Sequence, residues 1–149
     1  MERPPSVLLF ERLYLAAFVV SVVFALFNWS HDLAAVVANP GFARIRGAAR
    51  VLPIVYPLTR ALIWAGWLLL LFLVARRRSR IARVLVTICA LITAYDGSRV
   101  LLAMLSGPLA GWAATAALVE AALVVCAAAM LFRPDAKAWF ADARSERTA

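Results

Sequence analysis

Long apolar runs separated by short polar connections extend over most of this chain. A helix that crosses the hydrocarbon core of a membrane, about 30 Å thick, needs about 20 mainly apolar residues. Four runs reach that length, and they predict membrane spans at about residues 8–28, 55–75, 81–105 and 109–132. The pattern therefore predicts an all-α integral membrane protein, a four-helix bundle formed by one transmembrane domain of residues 1–149.

The polar connections predict how the spans are joined. Residues 29–54 form the long outer loop, and residues 133–149 form a polar tail. Gly107 and Pro108 interrupt the chain between the third and fourth spans, which predicts a very short turn and two antiparallel neighbours. Within the outer loop, the segment FARIRGAARVL at 42–52 has apolar residues at helical spacing. It is interpreted either as a short helix in the membrane interface or as an ordered loop on the bundle.

Basic residues are concentrated on one side of the predicted spans. The connection between the second and third spans reads RRRSRIAR at 76–83, and the two ends of the chain add Arg3, Arg12, Arg133, Lys137, Arg144 and Arg147. Because positively charged connections stay on the cytoplasmic side of a membrane, both termini are predicted to be cytoplasmic. We interpret the clusters as topology signals, with binding of anionic lipid headgroups as the alternative.

Composition supports a membrane protein and argues against nucleic-acid binding. Hydrophobic residues make up 65% of the chain, whereas soluble domains contain about 45–50%. The net charge of +8 lies mainly at the ends of apolar runs, as in membrane proteins, and predicts the lipid bilayer rather than nucleic acid as partner. Cys89 and Cys126 both lie inside apolar runs and are interpreted as small buried hydrophobic residues, without a disulfide framework.

The sequence contains no recognisable enzyme motif. A zincin helix, a Cys-x-x-Cys pair, a phosphate-binding loop and a nucleophile elbow are all absent. His31 is the single histidine, so a bis-histidine haem or a histidine-rich zinc site is excluded. It opens the outer loop together with Asp32 and is interpreted as a solvated residue at a helix end. We therefore expect no enzymatic activity, no cofactor and no metal site.

Four ionisable residues lie inside the predicted spans: Arg60, Asp96, Arg99 and Glu120. Such residues cost about 2.5–3.5 kcal/mol each on insertion scales and suggest function. At a rise of 1.5 Å per residue, each lies roughly 20–24 Å from the arginine at the cytoplasmic end of its own span. The four are therefore predicted to form one charge-balanced layer in the outer half of the membrane, and they are the candidates for binding a substrate or ion.

Other polar or aromatic residues are predicted to accompany this layer. Tyr14, Ser21 and Asn28 repeat every seven residues and form a weak polar stripe on the first span. Trp64 follows Arg60 by four residues, so its ring is expected to cover the guanidinium group through a cation–π contact.

The layer has three interpretations. In the first, a buried ion-pair network fixes helix register, and the protein is a small non-enzymatic membrane protein that packs against itself or a partner complex. In the second, the layer lines a polar cavity open to the periplasm, and the protein is a small transporter or lipid-handling subunit that binds protons, cations or anionic headgroups. In the third, the layer receives a transmembrane helix of a partner protein.

The two ends of the chain carry a resemblance. RPPSVLLFERLYLAAF and FNW within residues 3–29, and LFRPDAKAWF at 131–140, resemble the ends of a group of small, uncharacterised four-span inner-membrane proteins of alphaproteobacteria. The similarity covers about a quarter of the chain and does not include the charged positions. It implies four helices and a bacterial inner membrane as location, but no activity and no site residues.

Overall fold

The fold is built from α-helices. The computed structural model describes residues 3–43, 47–107 and 111–148, without the side chains of 42, 43, 48, 49 and 142–148, and contains no strand in these ranges. In chain order the helices are α1 Pro5–Phe27, α2 Trp29–Ala38, α3 Pro40–Ala43, α4 Ala48–Ala75, α5 Arg80–Leu105, α6 Trp112–Met130 and α7 Pro134–Thr148. Helices α1, α4, α5 and α6 are long and apolar enough to cross a membrane, which confirms the predicted helical class and the number of candidate spans.

Helix α6 lies between α1 and α5 and packs along both, while α4 makes smaller contacts with α5 and α1. The approach of α5 to α6 depends on Gly97. A Cβ atom at this position would lie only 2.9 Å from the Cβ atom of Ala121. Small residues of this kind allow the backbones of membrane helices to come close together.

One end of the helix assembly, which we call the basic end, brings together the start of α1, the α4–α5 connection and α7. The backbone N–H of Ser6 donates a hydrogen bond to Oδ2 of Asp135 at 3.2 Å. The guanidinium carbon of Arg78 lies 3.8 Å from the ring centroid of Trp139. Most of the largest buried side chains belong to the core here: Val7, Phe10, Tyr14, Val74, Val86, Val124, Leu131 and Phe140. The tail is therefore an integral part of the fold.

Two interpretations of individual residues need correction at this level. Trp139 and Phe140 follow Arg133 and Lys137 in the tail, a pattern that predicts aromatic anchors at the membrane interface. They are only 8% and 2% exposed, because α7 folds back and buries its apolar face against α1. Cys126 was expected to be buried, but it is exposed, while Cys89 is half-buried; both thiols are free. Cys126 faces outward because Val124, Ala127 and Ala128 form the packed face of α6.

The outer loop is largely helical. Helix α2 occupies its first part, and α4 begins at Ala48, seven residues before the predicted span. Pro53 and Pro57 lie inside α4; a proline removes one N–H from the helix but does not by itself prevent a membrane helix from continuing. Gly47 has a left-handed φ of 86° at the start of α4, so 42–52 is not one continuous interface helix. Residues 44–46 of that segment, and Pro108 of the predicted turn, lie outside the described residues.

Candidate functional site

Arg60 belongs to a cluster of polar side chains between α2 and α4. Its Nη2 atom lies 3.5 Å from Oδ2 of Asp32, and its Nε–H donates to the hydroxyl of Tyr56 at 3.2 Å. The same hydroxyl donates to Oδ2 of Asp32 at 3.2 Å. The guanidinium carbon is also 5.4 Å from the centroid of the Tyr56 ring. The three side chains thus form a closed group in which the arginine charge is balanced by one carboxylate.

This group differs from the sequence-based expectations in two ways. Asp32 was not expected to contact the charged positions, but its side chain is only 25% exposed and binds Arg60, while the neighbouring His31 is 85% exposed. The ring over Arg60 belongs to Tyr56, one turn before it, instead of Trp64, one turn after it. The spacing of Tyr56 and Arg60 could have indicated their contact. Nothing in the local pattern indicated Asp32, because its position depends on α2 packing against α4.

Glu120 is half-buried on α6, where it meets groups from two other helices. Its carboxylate interacts with the hydroxyl of Ser21 on α1 and with the positive charge of Arg60 on α4. Ser21 belongs to the polar stripe predicted on the first span. Glu120 and Arg60 therefore face the same region between the helices.

A groove of about 230 Å³ lies between α5 and α6, and Glu120 forms part of its wall. The other lining residues are Thr93, Asp96, Gly97, Val100 and Ala117. The groove thus contains two carboxylates, one from each helix, and the two groups could share protons or attract a cation. No cluster of three or more metal-ligating side chains occurs among the described residues.

Asp96 and Arg99 are both exposed on α5, although a buried position was expected for them. In the described part of the chain neither belongs to an ion pair. The packed face of α5 is set by Ala82, Val86 and Ala90, with Gly97 further along. Arg99 follows Gly97 by two residues, a rotation of about 200° around the helix axis, and therefore points to the opposite side.

The structure links Glu120 with two of the other three candidate residues. Glu120 interacts with the charge of Arg60 and shares the wall of the α5–α6 groove with Asp96, whereas Arg99 lies on the outer face of α5. No charged side chain among the described residues is buried, which corrects the expectation of a closed, buried layer. The physical reason is that the largest apolar side chains pack at the basic end, so the packing around the charges is open.

No protein-family model, curated protein or solved structure matches the chain. The resemblance of the two ends to the alphaproteobacterial group therefore stays a prediction.

Proposed function

We propose that this chain is a small multi-pass protein of the bacterial inner membrane, a four-helix bundle with both termini in the cytoplasm. It catalyses no reaction and acts by packing against itself or against a partner membrane complex. Four long apolar helices support the membrane location. The arginines of the α4–α5 connection and the basic residues near both chain ends support the orientation, because the contacts of Ser6 with Asp135 and of Arg78 with Trp139 gather these segments at one end.

The observation that carries the proposal is the exposure of two charged side chains on α5, Arg99 on its outer face and Asp96 at the groove with α6. Asp96 lies 13 residues beyond Arg83, which corresponds to about 20 Å along the helix. At such a depth a charged side chain facing lipid costs about 2.5–3.5 kcal/mol on insertion scales. Contact with a protein surface that offers opposite charges lowers this cost, so the outer face of α5 suits a protein partner better than lipid.

The test is to measure the mass of the protein together with anything bound to it, after direct extraction from the membrane. The protein is extracted with a styrene–maleic acid polymer, which retains the surrounding lipid, and is weighed by native mass spectrometry. We expect more than one polypeptide per particle. In the variant with both Asp96→Leu and Arg99→Leu, we expect a single chain with unchanged helix content by circular dichroism. A wild-type particle containing one chain and no other protein would refute the proposal.

A second function is favoured by the groove between α5 and α6, with Asp96 and Glu120 in its wall. The protein would then be a small transporter or lipid-handling subunit that binds protons, cations or an anionic headgroup at the charged layer. Proteoliposomes containing a pH-sensitive dye test the proton- and cation-dependent form of this activity. Glu120→Gln should abolish cation-driven proton movement, and Glu11→Gln, which changes a carboxylate paired with Arg3 at the basic end, should preserve it.

A further inference from the structure

We propose that a groove between α1 and α4 at the basic end binds one phospholipid with an anionic headgroup, whose phosphate contacts Arg76 and whose acyl chain lies along the groove. This site goes beyond the assembly function and rests only on the proposed membrane location. The groove has a volume of about 280 Å³ and is lined by residues of both helices. It shares no lining residue with the α5–α6 groove that contains Asp96 and Glu120.

The lining of this groove changes from charged to apolar along its length. Glu11 and Arg76 form its charged mouth at the basic end, where α1 begins and α4 ends. Leu15 follows Glu11 by four residues and Leu68 precedes Arg76 by eight, so these apolar side chains lie about 6 and 12 Å farther from the basic end. A phospholipid in the same leaflet has its headgroup and its acyl chains in this order, so the groove matches the polarity of a lipid.

The groove has the width of an acyl chain. A volume of about 280 Å³ over a length of about 12 Å corresponds to a cross-section of roughly 23 Å², or about 5 Å across, whereas a helix with its side chains is about 10–12 Å wide. Leu15, Leu68 and Phe72 are 42%, 45% and 48% exposed, so a chain can enter sideways from the bilayer. Because other lipid tails are as apolar as these side chains, the groove selects by shape and the headgroup supplies the preference among lipids.

The charges at the mouth favour a headgroup with a net negative charge. Nη1 of Arg3 donates to Oε1 of Glu11 at 2.7 Å, so this carboxylate is already paired. Arg76 is exposed and belongs to no ion pair in the described part of the chain. Together the three side chains carry one positive charge, which one phosphate diester balances, and a guanidinium group can bind two oxygens of the same phosphate. The ammonium group of a zwitterionic headgroup would have to displace Arg3 from Glu11.

Native mass spectrometry of the full chain tests the headgroup preference. Purified protein in detergent is mixed with equal amounts of phosphatidylglycerol, phosphatidylethanolamine and phosphatidylcholine that carry the same acyl chains. We expect one lipid per chain, with phosphatidylglycerol retained about fivefold more often than either of the others, because one basic residue beside an anionic lipid contributes a preference of that order. Equal retention of the three lipids, retention of none, or a preference for phosphatidylethanolamine would overturn the proposal.

Two variants that each remove one positive charge locate the headgroup. Arg76→Gln removes the guanidinium group at the mouth of the groove. Arg80→Gln is the matched control, because Arg80 is exposed on the same α4–α5 side of the basic end but does not line the groove. We expect Arg76→Gln to lose the preference for phosphatidylglycerol and Arg80→Gln to keep it. An equal loss in both variants would mean that the basic end attracts anionic lipid diffusely, and the assigned site would be wrong.

A second pair of variants tests the position of the acyl chain. Leu68→Trp places a larger side chain in the wall of the groove, whereas Leu69→Trp adds the same bulk to an exposed position of α4 outside it. We expect Leu68→Trp to lose the bound lipid and Leu69→Trp to retain it, both with the helix content of the wild type by circular dichroism. Equal lipid retention by the two variants would contradict the assigned groove. The lipid competition with the wild-type chain decides the headgroup preference even if a variant does not fold.

The outcomes separate this site from the functions proposed above. One chain with one retained phosphatidylglycerol supports the lipid site and refutes the assembly function, whereas several chains without retained lipid do the reverse. The membrane location fails separately, if cell fractionation recovers the chain in the soluble fraction.

Discussion

A methyl group at Gly97 would place two Cβ atoms in conflict, because the new atom would lie 2.9 Å from the Cβ atom of Ala121. Carbon atoms pack best at about 3.5–4.0 Å, so α5 and α6 must separate locally by roughly 0.6–1.1 Å. Overpacking of this kind costs about 1–3 kcal/mol. Replacing glycine by alanine in a helix gains about 1 kcal/mol through helix propensity. We therefore expect Gly97→Ala to change the free energy of unfolding by between about zero and 2 kcal/mol, in the destabilising direction.

Gly66→Ala on α4 is the matched control for this prediction. A Cβ atom at Gly66 meets nothing within 4 Å, so only the propensity gain of about 1 kcal/mol applies. The difference between the two variants then isolates the packing cost of about 1–3 kcal/mol. Unfolding by sodium dodecyl sulfate in mixed micelles, followed by circular dichroism, measures both. Equal shifts for Gly97→Ala and Gly66→Ala would show that α5 does not approach α6 at this residue.

Three further predictions concern the polar contacts. Asp32→Asn should lower stability by less than about 1 kcal/mol, since the pair with Arg60 is partly exposed; a loss above 3 kcal/mol in the same micelle titration would contradict this. Hydrogen bonding by Ser6 lowers the pKa of Asp135, so the α7–α1 contact should persist above about pH 4 and weaken only as the pH falls through that lowered pKa. Asp135→Asn should remove this acid dependence of tail proteolysis. Trp139→Leu should weaken the attachment of α7 by about 1–3 kcal/mol, because it removes a buried ring and its cation–π contact, and proteolysis of the tail should accelerate.

The four candidate membrane helices could be predicted from the sequence because each is marked by its own run of apolar residues. About 20 consecutive apolar residues identify a span without any knowledge of its neighbours, and α1, α4, α5 and α6 all contain such runs. The helical outer loop was missed for the opposite reason. Trp29–Ala38 and the first turns of α4 contain polar as well as apolar residues and lack a long apolar run. These helices pack against each other, and such a contact between separate segments cannot be read from either segment alone.

The charged site was only partly predictable. Depth along a helix follows from counting residues, and counting grouped Arg60 with Glu120, whose charges interact in the structure. Rotation about the helix axis is harder to infer in a span that is apolar on every side, because lipid and protein interior have the same polarity. The outward direction of Arg99 follows from the small residues Ala82, Ala90 and Gly97, which form the packed face of α5. The prediction instead took the charged residues as the mark of the interior face.

The contacts at the basic end join the two segments of the chain that carry the predicted resemblance. Residues 3–29 and 131–140 are far apart in the chain, yet Ser6 binds Asp135, and Phe10 and Tyr14 share one core with Leu131 and Phe140. Helix α1 begins after Pro4 without a side-chain cap of its own. The Asp135 carboxylate accepts one of its free N–H groups and places a negative charge at the positive end of the helix dipole. Each end thus constrains the residues that the other can carry.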